Sequence, residues 1–383
     1  MSVDHPHHGQ AAIQGDLGAI FVSLELSRKT WLITSISPGK GEKMSVHSVP
    51  AGDTCGLLLR LGTLRSGAQE RTGGEYPVSV IMEAGLDGFW IHRVLEAEEI
   101  ESHVVDPASI PVPRRRKRAK SDRIDGALLL RTLMAYKRGE PRVCSMARAP
   151  SPEVEDRRRV CRERKTLIGE RIMHTNRIKG LLFTQGIIDY EPERSDRRER
   201  LKELVTGDGR ALPEHLDRQV ARELDRLELL VTQIKAVEAE RDVLLAQPDA
   251  PGARIMTLRG IAEETASVLG SEVFWRTFDN RRQLGSYGGI AATPWKSGSI
   301  DQEQGISKGG NPRLRTTMVE VAWRWLIHQP RSELSCWFRR RVGVRRGRIR
   351  KVMIVALARK LLIALWRFEK EGVIPAGAVF KAA

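Results

Sequence analysis

The sequence is poor in cysteine, and this scarcity excludes two classes of protein. Four cysteines occur among 383 residues, at Cys55, Cys144, Cys161 and Cys336, which is too few and too scattered for a disulfide scaffold. No two of them form a CxxC pair, so we expect no structural zinc site. Reduced thiols in a reducing compartment are the simplest interpretation.

Long apolar runs are also missing. No stretch of about 18 uncharged apolar residues occurs, which predicts a protein without a membrane span. Residues 1–17 are polar and lack the apolar core of a signal peptide, so we predict a disordered leader there. Both absences favour a cytoplasmic protein.

Acidic residues are outnumbered by basic ones. Lys and Arg total 64 against 48 Asp and Glu, which gives a net charge of +16. Hydrophobic residues make up 41% of the chain and charged residues 29%, a balance that is typical of globular proteins. The length suggests two or three domains, and the charge surplus indicates a polyanionic partner such as a nucleic acid.

Residues 18–150 show the pattern of an α/β domain. Three predicted strands in meander order precede an alternation of helices and strands, which indicates a mixed sheet with helices on its faces. The ribonuclease-H-like fold has this order of elements, and other α/β folds share parts of it. The predicted strands span residues 19–27, 30–37, 42–50, 76–85 and 103–107, and the predicted helices span residues 53–65, 89–98 and 121–137.

Residues 151–246 are predicted to form long helices, over about 153–185 and 214–246. The second helix carries apolar residues in 4-3-4-3 spacing. This stripe fits either an antiparallel helical hairpin or a coiled coil that joins two chains. Its members are Val220, Leu224, Leu227, Val231 and Ile234.

The remainder of the chain is predicted to be mostly helical. Residues 247–253 have the composition of a linker, and the last domain is predicted over residues 254–375. Within it, residues 258–273 resemble the turn of a helix-hairpin-helix module, which can offer backbone N–H groups to a phosphate.

Four carboxylates are candidates for chemistry. Glu25 and Glu83 lie in or beside strongly apolar strands, where a charge is costly unless it is paired or binds a metal. Asp122 and Asp125 are three positions apart and share a helix face, although one of them could instead cap that helix. Carboxylates from neighbouring strands and one helix would form an all-oxygen site suited to Mg²⁺, and paired metals in such sites catalyse phosphodiester displacement.

Basic residues cluster in three blocks. A single block is typical of a solvated surface, but three blocks in a chain of net charge +16 favour contact with phosphates. The candidate nucleic-acid-binding residues are Arg114, Arg115, Arg116, Lys117, Arg118 and Lys120, then Arg177 and Lys179, then Arg339, Arg340 and Arg341.

Several motifs together resemble one known family. VSLELSRKTW (22–31), IMEAG (81–85) and KSDRIDG (120–126) look like the three acidic motifs of the DEDD insertion-sequence transposases. HTNRIKGLL (174–182) is similar to the family's middle segment, and YGGIAATPWKSGSIDQEQGISKGGNPRLR (287–315) is similar to its C-terminal motif. The resemblance covers about residues 18–370, which is nearly the whole chain.

The resemblance implies a fold and a catalytic apparatus. The N-terminal domain would be similar to the RuvC Holliday-junction resolvase, with Glu25, Glu83, Asp122 and Asp125 as an acidic tetrad and Mg²⁺ as the cofactor. The family's catalytic serine falls on Ser297, with Ser299 as the alternative two residues away. Phosphate contact is expected from Lys308, Asn311 and Arg315, whose simpler roles would be helix capping and solvation.

The resemblance also implies partners and a place of action. The family's recombination is guided by a bridge RNA, so donor DNA, target DNA and a non-coding guide RNA are the expected partners, in the bacterial cytoplasm at the nucleoid. A homo-oligomer, dimer or tetramer, is expected because about 170 residues separate the acidic tetrad from Ser297. The expected arrangement pairs Ser297 of one copy with the carboxylates of another. The alternative is an antiparallel helical hairpin that returns the C-terminal domain beside the N-terminal domain of the same chain.

One residue departs from the family pattern. The first acid is normally aspartate, and Glu25 stands in its place. The extra methylene moves the carboxylate by about 1.5 Å, comparable to misplacements that cost ~100-fold in rate. Besides the phosphoserine recombinase, two functions stay open: a RuvC-like structure-selective nuclease that uses only the metal site, with water as the nucleophile, and a nucleic-acid-binding protein in which the change to Glu25 has disabled catalysis.

Overall fold

The computed structural model describes residues 18–41, 43–85, 88–110, 122–141, 143–297, 300–345 and 347–382. At residues 108, 122–123, 294–297 and 300–304 it describes the backbone alone. The chain divides into two compact units, residues 1–150 and 151–383. The predicted leader lies outside the described residues.

The first unit contains a five-stranded mixed sheet. The strand order is β3-β2-β1-β4-β5, with β1 antiparallel to β2, β2 antiparallel to β3, and the β1–β4 and β4–β5 pairs parallel. The strands are β1 (Ile20–Leu26), β2 (Thr30–Ile36), β3 (Ser45–Pro50), β4 (Val78–Glu83) and β5 (Glu101–Val105), and the helices are α1 (Thr54–Thr72), α2 (Trp90–Ala97) and α3 (Asp122–Lys137).

Helices cover both faces of this sheet. Because side chains alternate along a strand, β1 sends Val22 and Leu24 to the face that α1 and α2 cover. Phe21 of β1 faces the other side, where it packs with Leu130 and Leu133 of α3. The predicted mixed α/β domain is confirmed at this level.

The first helix is longer than the sequence suggested. The prediction ended it at residue 65, whereas α1 continues to Thr72 and ends at Gly73, whose φ of 74° is left-handed. Leu64 and Ala68 are buried against the sheet, so packing of one helix face extends the helix through a polar stretch that propensity alone did not favour.

The second unit is mostly helical, as predicted, and begins with a helical hairpin. Its helices are α4 (Pro152–Phe183), α5 (Arg197–Lys202), α6 (Glu214–Leu245), α7 (Ala253–Met256), α8 (Glu263–Leu269), α9 (Arg281–Tyr287), α10 (Pro312–His328), α11 (Glu333–Val342) and α12 (Arg348–Glu371), and a π-helical turn spans Gly270–Phe274.

The two long helices α4 and α6 run antiparallel. Ile178 and Leu182, near the end of α4, pack on Val220 and Leu224 near the start of α6. Val160 and Leu167 pack on Leu230, Ile234 and Val237 in the opposite half. Of the two arrangements that the apolar stripe allowed, the chain takes the hairpin, and the buried residues of the stripe pack against α4 of the same chain.

Helices α8 to α12 enclose the largest apolar core of the chain. Fully buried members include Phe274, Trp325, Leu361 and Leu362. No helix of the described part of the chain is long and apolar enough to cross a membrane.

A β-hairpin interrupts this helical region, and the sequence did not predict it. It consists of β6 (Ala292–Ser297) and β7 (Ile300–Ile306), which pair antiparallel. The two strands read ATPWKS and IDQEQGI, so neither shows the apolar alternation that marks a strand.

Candidate active site

Glu25 and Glu83 lie at matching positions on two neighbouring parallel strands. The β1–β4 register pairs Leu24 with Met82, and each glutamate is the next residue of its strand. Phe21 and Ile81 belong to the core cluster on the α3 side of the sheet. By alternation, Glu25 and Glu83 also face that side, at the carboxyl ends of β1 and β4.

Helix α3 brings its first turn to the same face. Ser23 Oγ donates a hydrogen bond of 2.7 Å to the carbonyl oxygen of Gly126. A Cβ atom at Gly126 would lie only 2.7 Å from Thr34 Oγ1, so glycine is required where the helix crosses β1 and β2. Asp125 immediately precedes this contact and is half-buried.

The direction of α3 puts its acidic end beside the glutamates. Leu130 and Leu133 pack with Phe21, nearer the start of β1, while Gly126 packs at Ser23. The helix therefore runs opposite to β1, and its first turn, with Asp122 and Asp125, points towards the strand end that carries Glu25. The sequence motif alone could not show this face or direction.

These residues offer a hard donor set. All four candidates supply carboxylate oxygens, which suit Mg²⁺. Glu25 is half-buried with Oε1 enclosed, whereas Glu83 is exposed. Among the described side chains, which do not include that of Asp122, no group of three or more His, Cys, Asp or Glu has converged into a metal-binding cluster. The tetrad assignment stays a prediction.

Sequence reasoning missed the small residues that support this site. Ser23 and Thr34 are fully buried and face each other across β1 and β2, and Gly126 lies on them. A signal was present, because a lone serine interrupts the apolar run of β1 and a glycine directly follows Asp125. Hydroxyl and glycine residues at such positions mark a close approach of backbone.

Ser297 is the last residue of β6. Its backbone pairs with Ile300 across the hairpin, and Lys296 pairs with Asp301. Ser297 thus sits at the hairpin tip, next to residues 298 and 299, which lie outside the described residues. Ser299, the alternative nucleophile, is one of those two.

The loop that follows the hairpin is bound to the segment that precedes it. The backbone N–H groups of Ser307, Lys308 and Asn311 donate to the carbonyl oxygens of Ala291, Gly289 and Tyr287, at 3.0, 3.2 and 2.7 Å. A Cβ atom at Gly289 would lie 1.9 Å from the Gly309 carbonyl oxygen, and one at Gly310 would lie 2.3 Å from that of Tyr287. The two glycine-rich ends of the motif therefore form one rigid base for the hairpin.

Asn311 and Arg315 hold this base together. The side chain of Asn311 accepts hydrogen bonds from the first turn of α10, and its Nδ2 donates to Glu272 Oε2 at 2.9 Å. Glu272 is only 2% exposed and also accepts from Arg162 at 3.3 Å. Arg315 Nη1 donates to the Gly309 carbonyl oxygen at 3.2 Å, while Lys308 is exposed with a left-handed φ of 57°.

The predicted nucleic-acid-binding residues have different surroundings. Arg114 to Arg118 and Lys120 lie outside the described residues. Arg177 is ion-paired with Glu223 at 3.2 Å and Lys179 with Glu191 at 2.7 Å. Burial opposes ionisation of Glu223, but hydrogen bonds from His174 and Arg177 outweigh it and hold its pKa below the ordinary value. Arg339, Arg340 and Arg341 are exposed at the end of α11.

Comparison with known proteins identifies the family. Residues 252–335 match the family model described as Transposase IS116/IS110/IS902 family. A protein of Sinorhizobium fredii that carries the provisional name transposase y4rJ is 62% identical over 383 residues, which cover 97% of this chain and 96% of that protein. The chain belongs to the IS116/IS110/IS902 family of transposases. Membership implies DNA transposition activity and a DNA substrate.

The family match coincides with the hairpin region. It contains α8, the hairpin β6–β7, the loop 307–311 and α10. A more distant relative, the transposase for insertion sequence element IS1328 of Yersinia enterocolitica, is 26% identical over 243 residues, which cover 61% of this chain and 70% of that protein. The predicted insertion-sequence transposase is therefore confirmed at the level of the family.

Proposed function

We propose that this transposase cuts and rejoins DNA through a covalent phosphoserine link on Ser297, assisted by Mg²⁺ at Glu25, Glu83, Asp122 and Asp125. The observation that carries the proposal is the placement of Glu25 and Glu83 at matching ends of two parallel strands, on the face where α3 begins. The strand order β3-β2-β1-β4-β5 also supports it, since ribonuclease-H-like folds, RuvC included, have this order.

The acidic residues would hold Mg²⁺, which supplies charge neutralisation at the scissile phosphate and at the leaving oxygen. The contribution of these residues to catalysis is to hold their carboxylates in place before the metal binds. Glu25 and Glu83 are fixed by the strand register, and Asp125 is fixed by the hydrogen bond between Ser23 and Gly126. Pre-set positions of this kind reduce the entropy cost of reaching the transition state.

The serine would conserve the energy of the broken bond. Ser297 Oγ attacks phosphorus, the Oγ–P bond forms, the P–O bond to the leaving deoxyribose breaks, and the hydroxyl proton passes to the leaving oxygen through a base or solvent. In the second step a deoxyribose hydroxyl of another strand attacks the same phosphorus, and Ser297 regains its proton. The rigid base formed by residues 287–291 and 307–311 supports the hairpin that presents Ser297.

A guide RNA would direct the reaction to donor and target DNA. The net charge of +16 supports binding to nucleic acids. We propose that the RNA binds mainly to the N-terminal unit, and that the working form in the cell is a homo-oligomer at the nucleoid. Sequencing of RNA that co-purifies with the protein tests this part.

The proposed chemistry is tested by trapping the covalent complex. The purified protein is incubated with its element-end DNA, co-purified RNA and Mg²⁺, and then resolved on a denaturing gel. We expect a protein–DNA adduct with the wild type and with Ser299→Ala, and none with Ser297→Ala. Strand cleavage without any adduct would instead support the nuclease with water as its nucleophile, and binding without cleavage would support the non-catalytic protein.

A further inference from the structure

The basic helix α4 is largely neutralised by acids of its own unit. Of the nine cations that make its sequence so basic, six form ion pairs. Arg158 is buried over the Trp275 ring, and Arg157 donates to Gln247. A phosphate would have to compete with a neighbouring carboxylate at most of these positions. The six ion-paired residues are Arg159, Arg162, Arg164, Arg171, Arg177 and Lys179.

The turn between α11 and α12 is also basic, but its basic residues have no carboxylate partners among the described residues. From residue 334 to residue 368 the sequence contains no aspartate or glutamate. Seven described cations surround the turn, all exposed, and within the described part of the chain none forms an ion pair. We call this surface the elbow patch, and it consists of Arg339, Arg340, Arg341, Arg345, Arg348, Arg350 and Lys351.

The elbow patch also exposes apolar side chains. Val344 lies at the tip of the turn, between Gly343 and Gly347, and is 97% exposed. Ile349 and Val352, in the first turns of α12, are exposed as well. Single exposed apolar residues are common on protein surfaces, but these three lie around one turn, and a macromolecule bound at the turn would cover them.

We propose that the elbow patch is the surface on which the phosphate backbone of duplex DNA docks. The inference rests on the proposed function and deepens it by assigning the DNA to this turn rather than to α4. Charge complementarity supports a polyanion, because all seven cations are exposed and have no carboxylate partner among the described residues; the guanidinium of Arg350 lies over the Trp323 ring at 5.0 Å. The same helical unit carries Ser297, which must meet DNA for the chemistry to occur.

Groove geometry favours duplex DNA over duplex RNA at this surface. The minor groove of B-form DNA accepts arginine side chains and apolar residues that press between base steps. A-form RNA has instead a major groove too deep and narrow for side chains to enter and a wide, shallow minor groove that does not enclose an inserted arginine. A glycine-flanked turn that presents Val344 among arginines fits the first surface better than the second.

The salt dependence of binding tests the proposal. Each phosphate contact contributes about 0.9 to the slope of log affinity against log salt concentration. If all seven cations contact phosphates, the slope for duplex DNA is about −6, and Arg340→Gln, Arg341→Gln and Arg345→Gln together reduce it to about −4. The matched control removes three exposed arginines that are already ion-paired, Arg194, Arg210 and Arg218, and we expect its slope to equal that of the wild type.

The probes are a duplex DNA of 30 base pairs or so and a structured RNA of similar length, measured by fluorescence anisotropy. An unchanged slope for DNA in the elbow variant overturns the proposal, and so does an equal reduction in the control, because net charge alone would then explain the effect. A loss confined to the RNA probe assigns the patch to RNA and likewise overturns it. Ser297→Ala is measured as well, and we expect it to bind DNA with the wild-type slope because the substitution removes no charge. The docking result is then independent of whether Ser297 forms the adduct.

Discussion

Gly126 is the point where α3 comes closest to the sheet, and we expect Gly126→Ala to damage both stability and catalysis. The new Cβ atom would lie 2.7 Å from Thr34 Oγ1, 3.4 Å from Thr34 Cβ and 3.5 Å from Ser23 Oγ. Thr34 is fully buried and its χ1 is restricted, so the helix rather than the threonine must shift.

The expected change in the free energy of unfolding is the difference between a cost and a gain. Overpacking of a buried contact costs about 1–3 kcal/mol, and replacing glycine by alanine inside a helix gains about 0.5–1 kcal/mol. The net loss of unfolding free energy is therefore between about 0 and about 2.5 kcal/mol. A shift of α3 by about 1 Å also displaces Asp125 from the glutamates, and such misplacements can cost ~100-fold in rate.

The matched control is Gly62→Ala in the middle of α1, where a Cβ atom meets nothing within 4 Å. We expect Gly62→Ala to gain about 0.5–1 kcal/mol, so urea denaturation should move the midpoints of the two variants in opposite directions. Thr34→Ala removes the obstructing oxygen, and combined with Gly126→Ala it should recover part of the strand-cleavage rate. If Gly126→Ala proves as stabilising as Gly62→Ala, the close approach of α3 to β2 is wrong.

Four further changes test other parts of the account. Asp125→Ala should abolish strand cleavage while DNA affinity stays within about threefold, since cations supply the affinity; wild-type cleavage would refute the metal assignment. Glu25→Asp should keep or raise the cleavage rate, and its complete loss in a folded protein would show that the site needs the longer side chain. Mixed Ser297→Ala and Asp125→Ala chains should regain cleavage if active sites combine two copies, and mixtures that co-assemble yet stay inactive would contradict this. Hydrogen bonds from Arg198 hold the pKa of Glu228 at about 2, below the ordinary 4.5. The ionised Glu228 therefore stabilises the fold fully above pH 4.5, and this contribution is lost as the pH falls towards 2. Glu228→Gln should flatten the acid unfolding curve in that range, and an unchanged curve would show that the ion pair contributes nothing measurable.

The sequence was sufficient for the elements whose pattern is strong. Strand β4 reads as a continuous apolar run because helices bury both faces of the sheet, and α4 and α6 are long enough for helical spacing to be unambiguous. The edge strand β3 is only partly buried, so its hydrophobic pattern is weak. The predicted strand over residues 42–50 therefore starts earlier than the observed strand, which begins at Ser45. The hydrophobic pattern therefore predicted well the strands and helices whose side chains are extensively buried.

Other features depend on contacts that no local pattern contains. The β6–β7 hairpin has polar strands, and its base is set by hydrogen bonds between residues 287–291 and 307–311. The neutralisation of α4 depends on pairs such as Arg162 with Glu272, which are 110 positions apart. The direction of α3, and with it the position of Asp125 relative to Glu25, depends on the fit of Gly126 over Ser23.

The central claim is that Ser297 forms a covalent bond to DNA, and peptide mapping of the adduct tests it most directly. The complex formed on element-end DNA with Mg²⁺ is digested with nuclease and protease, and the peptide that retains a nucleotide is sequenced by mass spectrometry. The account predicts a nucleotide phosphate attached to Ser297. A nucleotide on Ser299, or cleavage products that contain no modified peptide, would contradict it.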